Sequence, residues 1–402
     1  MSATASTFTT EMRLARLASD ERMTCFVTEA GRRHGWWDAD RRWQRTFGRF
    51  DPDARRYCVM LFESTTDTQE LCLLEVYYAD PPGADEASAL SYDSLLGWLR
   101  FSRFPHDPRL PTLRAVRAGF NGVHVLRYRP ERRCTMSVTD ANSGGRTFVK
   151  VLANGDGNTI HAGAGALWRA SLRGEIAFDV AKPIRWDSQL SALWQHAVAG
   201  QPLVRQLLQP GGQTIAARMG RACASLAVSS LKANEVFDAR AQCQRSVRYA
   251  SELSRRLPQF EVEIRDVIAR LQRVHRQYIH RTPRPIHGAP HAHQWLDAGG
   301  RLGLVDFDRF SMGDPELDVA TFVAEMDFED PARVPVAAIN QQFLASYESV
   351  YGPLQHSLID TYRCHKYLAK SLKAVRAVSV NGVAKAERHL RRTIAGVEAL
   401  NP

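Results

Sequence analysis

The sequence predicts an α+β chain of two lobes, one rich in sheet and one mainly helical, with an additional α/β segment at its N-terminus. Three observations lead to this. β-rich runs fill residues 56–79 and 122–152. From residue 213 onward the apolar residues recur at helical spacing. One short apolar hairpin then interrupts the helices: Trp295-Leu296 and Leu302 to Val305 flank the turn Asp297-Ala298-Gly299-Gly300-Arg301. A chain of 402 residues has room for two or three domains. The changes in pattern place them at 1–110, an N-terminal extension; 111–200, the sheet lobe; and 201–402, the helical lobe.

Taken in order, Glu11 to Glu21 carries Met12, Leu14, Leu17 and Ala18 at helical spacing. Gly35-Trp36-Trp37 and Trp43 to Phe47 form an aromatic region. It reads as rings packed against the body of the protein, with a protein-contact surface as the alternative. Arg56 to Phe62 and Glu70 to Tyr78 read as an antiparallel hairpin, and Tyr92 to Phe101 as a short helix. Strands follow at Gly122–Tyr128, Arg133–Val138 and Arg146–Leu152, with turns at Arg129–Arg132 and Asp140–Gly145. In the last strand, alternation puts Thr147, Val149 and Val151 on one face and Phe148, Lys150 and Leu152 on the other. Lys150 is thus either an exposed edge-strand lysine or a cation in a cleft.

A helix is expected from Thr159 to Ala170 and strands at Ile184–Asp187 and Leu193–Val198. Helices then cover Gln213–Leu231, Asn234–Arg255 and Val262–Ile279 before the hairpin, and Pro315–Phe328, Val334–Tyr347 and most of Ser357–Leu400 after it. The tract Tyr362-Arg363-Cys364-His365-Lys366-Tyr367 is polar enough to read as a surface helix with one packed face.

Composition narrows the class. Seven cysteines are scattered without metal-site spacing and no leader pattern occupies Met1 to Arg13, so reduced thiols and a cytoplasmic location are expected. No apolar run approaches the roughly 18 residues of a membrane helix, so no membrane partner is expected. The net charge of +10 admits anionic partners such as nucleotides. The arginines are dispersed and no basic block interleaves with aromatics, so nucleic acid is not expected as a partner.

The chemistry concentrates around the hairpin. His287-Gly288-Ala289-Pro290-His291-Ala292-His293-Gln294 precedes it, Val305-Asp306-Phe307-Asp308 closes it, and Gly313-Asp314-Pro315-Glu316-Leu317-Asp318-Val319-Ala320 follows. These three blocks, in this order and separation, resemble the signature of the aminoglycoside phosphotransferase family: His-Gly-Asp-x-His-x-x-Asn, a hairpin, Val-Asp-Phe, then Gly-Asp-Pro-x-x-Asp-Leu-Ala. The resemblance covers about residues 120–400. Residues 1 to about 110 lie outside it and resemble the extra N-terminal cap of maltokinase-like relatives.

The resemblance implies a protein-kinase-like fold with residues 111–200 as the nucleotide-binding lobe. It also implies transfer of the γ-phosphate of ATP or GTP to a hydroxyl of a small acceptor such as an aminoglycoside or sugar, with Mg²⁺ as the metal. Lys150 matches the strand lysine that meets the nucleotide phosphates, with Arg133 as a further phosphate contact. Asp306 matches the metal-binding aspartate, and Gln294 stands where the family has an asparagine ligand. Asp308 either reaches the metal or caps the next segment. His287 is implied to brace the catalytic loop, and Asp314 and Asp318 to tie that loop to the following helix. Oxygen ligands and a nearby cation are what phosphoryl transfer requires.

The pattern departs from the family at Ala289, where an aspartate would orient the attacking hydroxyl. The turn Arg129-Pro130-Glu131-Arg132 also lacks the glycines that let amides close over phosphates. Two readings remain open. One is an active phosphotransferase in which an engineered change of that aspartate to alanine leaves this chain inactive or impaired, with His291 as an alternative base. The other is a pseudokinase that binds a ligand or partner.

Overall fold

The computed structural model describes residues 9–38, 40–67, 69–82, 87–120, 122–139, 146–153, 157–278 and 281–400. The expected turn at 140–145 lies outside the described residues.

The chain begins with α1 (Thr10–Ala18), α2 (Asp20–Arg33), β1 (Trp43–Phe50), β2 (Arg56–Ser64), β3 (Leu71–Tyr77), β4 (Ser88–Asp93), β5 (Gly97–Arg103) and α3 (Leu113–Ala118). It continues with β6 (His124–Arg129), β7 (Arg133–Thr139), β8 (Arg146–Leu152), α4 (Gly157–Leu172), β9 (Pro183–Asp187) and β10 (Ala192–His196). Next come β11 (Gln201–Pro202), α5 (Val204–Leu207), α6 (Gly212–Val228), β12 (Val236–Phe237), α7 (Ala239–Arg256) and α8 (Glu261–Gln277). The last part holds β13 (Arg284–Ile286), β14 (Trp295–Ala298), β15 (Arg301–Leu304), β16 (Ser311–Gly313), α9 (Pro315–Met326), α10 (Val336–Tyr351), α11 (His356–Val375) and α12 (Gly382–Ala399).

The fold is bilobal, a sheet-rich lobe and a largely helical one, with an N-terminal α/β extension. It forms two compact units. The first comprises Met1–Gly155, Asp187–Leu193 and Lys373–Lys385; the second comprises Asp156–Trp186, Trp194–Leu372 and Ala386–Pro402.

In the first unit, the extension is an antiparallel sheet of order β1-β2-β3-β5-β4. Every residue of the central strand β3 is buried, the charged Glu75 among them. Helices α1 and α2 bury Leu17, Met23 and Val27 in the same core. Trp37 and Trp43 are buried there too, with ring centroids 4.6 Å apart. Trp37 lies flat on Gly31, where a Cβ would come within 1.8 Å of the indole. Trp37 and Trp43 of the aromatic region are therefore core, while Trp36 is half-buried and His34 and Phe47 are exposed.

Tyr92–Phe101, expected as a helix, is instead the β4–β5 hairpin. Local hydrogen bonds decide it: the Asp93 carboxylate accepts from the amides of Leu95 (3.0 Å) and Leu96 (2.9 Å). Gly97 then takes φ +88, where a Cβ would meet the Tyr77 carbonyl at 2.5 Å.

One buried charge ties the two sheets of this unit together. Glu75, only 2% exposed, accepts from Arg56 and from Arg100 (2.7 Å to Nε), and Tyr77 adds a hydroxyl at 3.2 Å. Arg56 also makes a two-pronged contact with Glu131 at 2.6 and 2.8 Å, in the turn between β6 and β7. That turn is held as well by Asp107, which accepts from the Tyr128 hydroxyl (2.7 Å) and the Glu131 amide (2.8 Å).

In the second unit, α9 is the central helix. All but one of its twelve residues are buried, which explains why it shows little amphipathic periodicity. Pro315 opens it at a position where the missing amide costs nothing, after Asp314 at the N-cap. The helices α6 and α10 approach closely: a Cβ on Gly220 would lie 2.3 Å from the Phe343 carbonyl. Phe343 in turn stacks on Phe322 of α9 with centroids 3.9 Å apart. The tract expected as a surface helix is the buried part of α11: Thr361, His365 and Ser371 are at most 1% exposed, and Tyr362 and Leu368 are fully covered. Thr361 and Ser371 donate to carbonyls of their own helix and His365 bonds to side chains of α7 and α8, which a count of polarity along the chain does not reveal.

Removing the Glu75 carboxylate leaves two arginines beside a hole at the sheet centre. Glu75→Ala is expected to cost about 3–5 kcal/mol of stability, read from urea unfolding of the whole chain.

Candidate active site

The site is built around a loop running from β13 into the β14–β15 hairpin, all within the second unit. β13 is held by β16 on one side, and β16 feeds directly into α9. This brings Asp318, in the first turn of α9, under the loop. Its carboxylate accepts from the His287 amide at 2.7 Å and the Gly288 amide at 2.8 Å. Burial pushes the Asp318 carboxyl up to about 7, against the two amides, which favour the charged form.

Gly288 has φ +79, and a Cβ there would meet the Arg309 carbonyl at 2.7 Å, so only glycine fits. His287 is fully buried. Its Nε2 donates to the Val305 carbonyl (3.2 Å) and its Nδ1 accepts the Ala289 amide (3.3 Å), which defines a neutral imidazole. Burial pushes its pKa down to about 4. The ring packs on Phe307, centroids 4.4 Å apart.

The expected metal-binding residues fall close together along the backbone. The amide of Val305 donates to the carbonyl of Gln294 at 3.2 Å, so Asp306 follows directly beside Gln294. Gln294 is buried, and its side-chain oxygen accepts the His291 amide at 3.2 Å, which orients the amide group. Asp306 takes φ +70, a left-handed conformation that non-glycine residues adopt at a cost and that concentrates at functional sites. Asp308 lines a cavity of about 160 Å³ with Thr159, Gly163, Leu167, Lys232 and Phe310. Ala289 and His291 are half-buried and His293 is exposed.

In the first unit, Lys150 lies on β8 opposite Thr135 of β7, and Arg133 pairs with Leu152 across the same two strands. The alternation is as the sequence indicates: Val149 and Val151 are fully buried while Lys150 is half-exposed on the other face. Two acids after α4, Glu175 and Asp179, are engaged within the second unit. Glu175 accepts from Ser230 and Arg173, and Asp179 from Arg301. Helix α4 itself contains no acid.

Three cations beside the loop were not apparent from the sequence. Arg309 follows the Asp306–Asp308 segment and touches Gly288, and the charges of Arg309 and Arg245 bear on Lys366. Burial first, then these two arginines, pushes the Lys366 ammonium down to about 7. Arg245 covers the ring of Phe237 at 4.1 Å. Among the described residues none of the three makes a salt bridge. They come from three distant segments, α7, the loop and α11, so no local pattern joins them.

Two acids that follow the signature, Glu325 and Asp327, are paired locally. Asp327 accepts from Arg363 (2.9 Å), Asn340 (3.2 Å) and the Tyr367 hydroxyl, and Glu325 pairs with Lys370.

This arrangement can be set beside known proteins. Residues 161–355 match the model of the phosphotransferase enzyme family. No curated protein sequence matches the chain. Amicoumacin kinase in complex with AMP-PNP, Ca²⁺ and Ami is similar in structure, with a TM-score of 0.55 and 14% identity over 71% of this chain and 94% of that one. A thermostable mutant of aminoglycoside phosphotransferase APH(4)-Ia, in ternary complex with ADP and hygromycin B, gives 0.53 and 12% over 70% of this chain and 97% of that one. A GDP complex of an aminoglycoside 2'-phosphotransferase-IIIa mutant gives 0.50 and 14% over 70% and 94%. At these identities the structural likeness speaks for the fold. Together with the family match over residues 161–355, it supports a phosphotransferase-like fold. Among the described residues, no helix is long and apolar enough to cross a membrane.

In Asp318→Asn, one of the two loop amides would face an NH₂ group instead of an acceptor. The variant is expected to lose about 1–3 kcal/mol in urea unfolding, as one buried donor goes unsatisfied.

Proposed function

We propose that the chain binds a magnesium nucleotide, ATP or GTP, as a small-molecule phosphotransferase does, and that Ala289 impairs its transfer of the γ-phosphate to an acceptor hydroxyl. The observation that carries this reading is the loop held by Asp318, with Asp306 and Gln294 adjacent and a methyl group at position 289.

The donors suit a hard cation: they are all oxygens, and Asp306 is held in a conformation that fixes its direction. Asp306, Gln294 and Asp308 would hold Mg²⁺, which neutralises phosphate charge when bound. Lys150 and Arg133 supply cations for the phosphates of the nucleotide. His287 braces the loop as a neutral ring and does not exchange its proton near neutral pH. In a complete site, a carboxylate at position 289 would accept the hydrogen bond of the acceptor hydroxyl and orient it. A methyl group cannot, and His291 is the nearest imidazole along the loop.

Arg245, Arg309 and Lys366 bear on the choice of acceptor. A polycation would be repelled beside this loop, so a neutral or anionic hydroxyl compound suits it better than an aminoglycoside. Seven free thiols suit a reducing, cytoplasmic setting.

A second reading rests on Ala289 itself: a pseudokinase that binds a ligand without turning it over, with the edge of the aromatic region at His34 and Trp36 as its contact to a partner protein.

Restoring the carboxylate separates the two. Ala289→Asp is expected to raise phosphoryl transfer by about 10²–10⁴-fold over the unmodified chain. The assay is nucleotide consumption with ATP and GTP across sugars, phosphorylated sugars, hydroxy acids and aminoglycosides. Folded Ala289→Asp protein with no transfer to any acceptor would favour the pseudokinase.

A further inference from the structure

A second cluster of metal-ligating side chains lies in the helical part of the second unit, away from the acidic loop residues. Cys243 on α7, His275 on α8 and His365 on α11 bring one ligand atom each to within 4.8 Å of one another. Both histidines are buried, and Cys243 is half-buried. The two imidazoles face each other, Nε2 to Nε2 at 2.9 Å. On the far side of its ring, His365 Nδ1 meets the Ser246 hydroxyl at 2.6 Å, and Ser246 accepts from the Gln242 side chain at 3.3 Å.

We propose that Cys243, His275 and His365 form a zinc site that joins α7, α8 and α11. The chemistry of the donor set leads there. One thiol and two imidazoles are the borderline-soft ligands that zinc prefers, and magnesium and calcium avoid. In a tetrahedral zinc site, with Zn–N about 2.0–2.1 Å and Zn–S about 2.3 Å, donor atoms stand roughly 3.3–3.6 Å apart. The facing nitrogens need to separate by only a few tenths of an ångström to reach that spacing. The orientation is already set by a second layer: with His365 Nε2 on the metal, its Nδ1–H donates to Ser246, as ligating histidines commonly donate to an oxygen.

Burial keeps His365 neutral, the form that ligates. Burial also pushes the Cys243 thiol up to about 11, so binding releases one proton to solvent as the thiolate forms on the metal. No local spacing pattern marks the cluster, because the three residues lie far apart along the chain.

The cluster abuts the signature region through one aromatic ring. Tyr362 packs on His275 with centroids 5.2 Å apart, and its hydroxyl donates to Asp314, the N-cap of α9. Fixing His275 therefore fixes the helix that carries Asp318.

The test uses the full chain, stripped with a chelator and titrated with Co²⁺ and then Zn²⁺. Binding of one equivalent per chain is expected, with a thiolate-to-cobalt charge-transfer band that Zn²⁺ abolishes, and a rise in the melting temperature on zinc addition. Cys243→Ser is expected to lose the band and at least tenfold in zinc affinity while folding normally without metal. His365→Gln provides a second route to the same loss. Cys25→Ser and His293→Ala, which change an exposed thiol and an exposed imidazole, are expected to keep the band. Absence of a thiolate band, or a band kept in Cys243→Ser and lost in Cys25→Ser, would overturn the proposal and leave the pair as a hydrogen-bonded core contact.

Discussion

The candidate site depends on one buried carboxylate. Asp318 holds two successive amides of the loop that begins at His287. Those amides have no other acceptor within the loop, and burying them unpaired would cost more than the hydrogen bonds themselves contribute. Asp318 reaches them because Pro315 and the Asp314 cap fix where α9 starts, and because β16, which leads into α9, pairs with β13, which leads into the loop. The strand pairing and the carboxylate therefore set the same register twice. His287 extends the brace to the other end of the hairpin through Val305, one residue before Asp306. Three hydrogen bonds, two from the loop amides to Asp318 and one from His287 to Val305, link α9 to the segment that carries the left-handed Asp306.

Much of this was legible in the sequence for physical reasons. The hairpin was marked by glycines that only a tight turn needs, and both turn glycines take positive φ. The alternation in β8 placed Lys150 opposite to the buried valines. Other features were not legible because long-range partners decide them. The run from Tyr92 to Phe101 has enough leucine and tryptophan to suggest a helix, yet Asp93 captures two amides and Gly97 closes against the Tyr77 carbonyl. Helix α11 looked like a surface element because of its polar residues, but Thr361, His365 and Ser371 find partners inside. The cations around the loop and the Cys243–His275–His365 cluster each gather residues from separate segments, and only the folded chain brings them together.

The site also separates two things that usually occur together. Under the proposed function, the loop would serve as the frame for a nucleotide and metal, with its amides paired, its histidine neutral and its aspartate held at φ +70. At position 289, where that function would need a base, the side chain is a methyl group. Binding needs the frame, whereas turnover needs the frame and a base. An intact frame around Ala289 is what a chain retaining the first and lacking the second would look like.

That separation is tested most directly by calorimetric titration of the unmodified chain with ATP and with GTP, each with and without Mg²⁺. The account predicts one site per chain whose affinity rises at least tenfold with Mg²⁺, and a loss of that gain in a folded Asp306→Asn variant. No nucleotide binding, or binding indifferent both to Mg²⁺ and to Asp306, would contradict it.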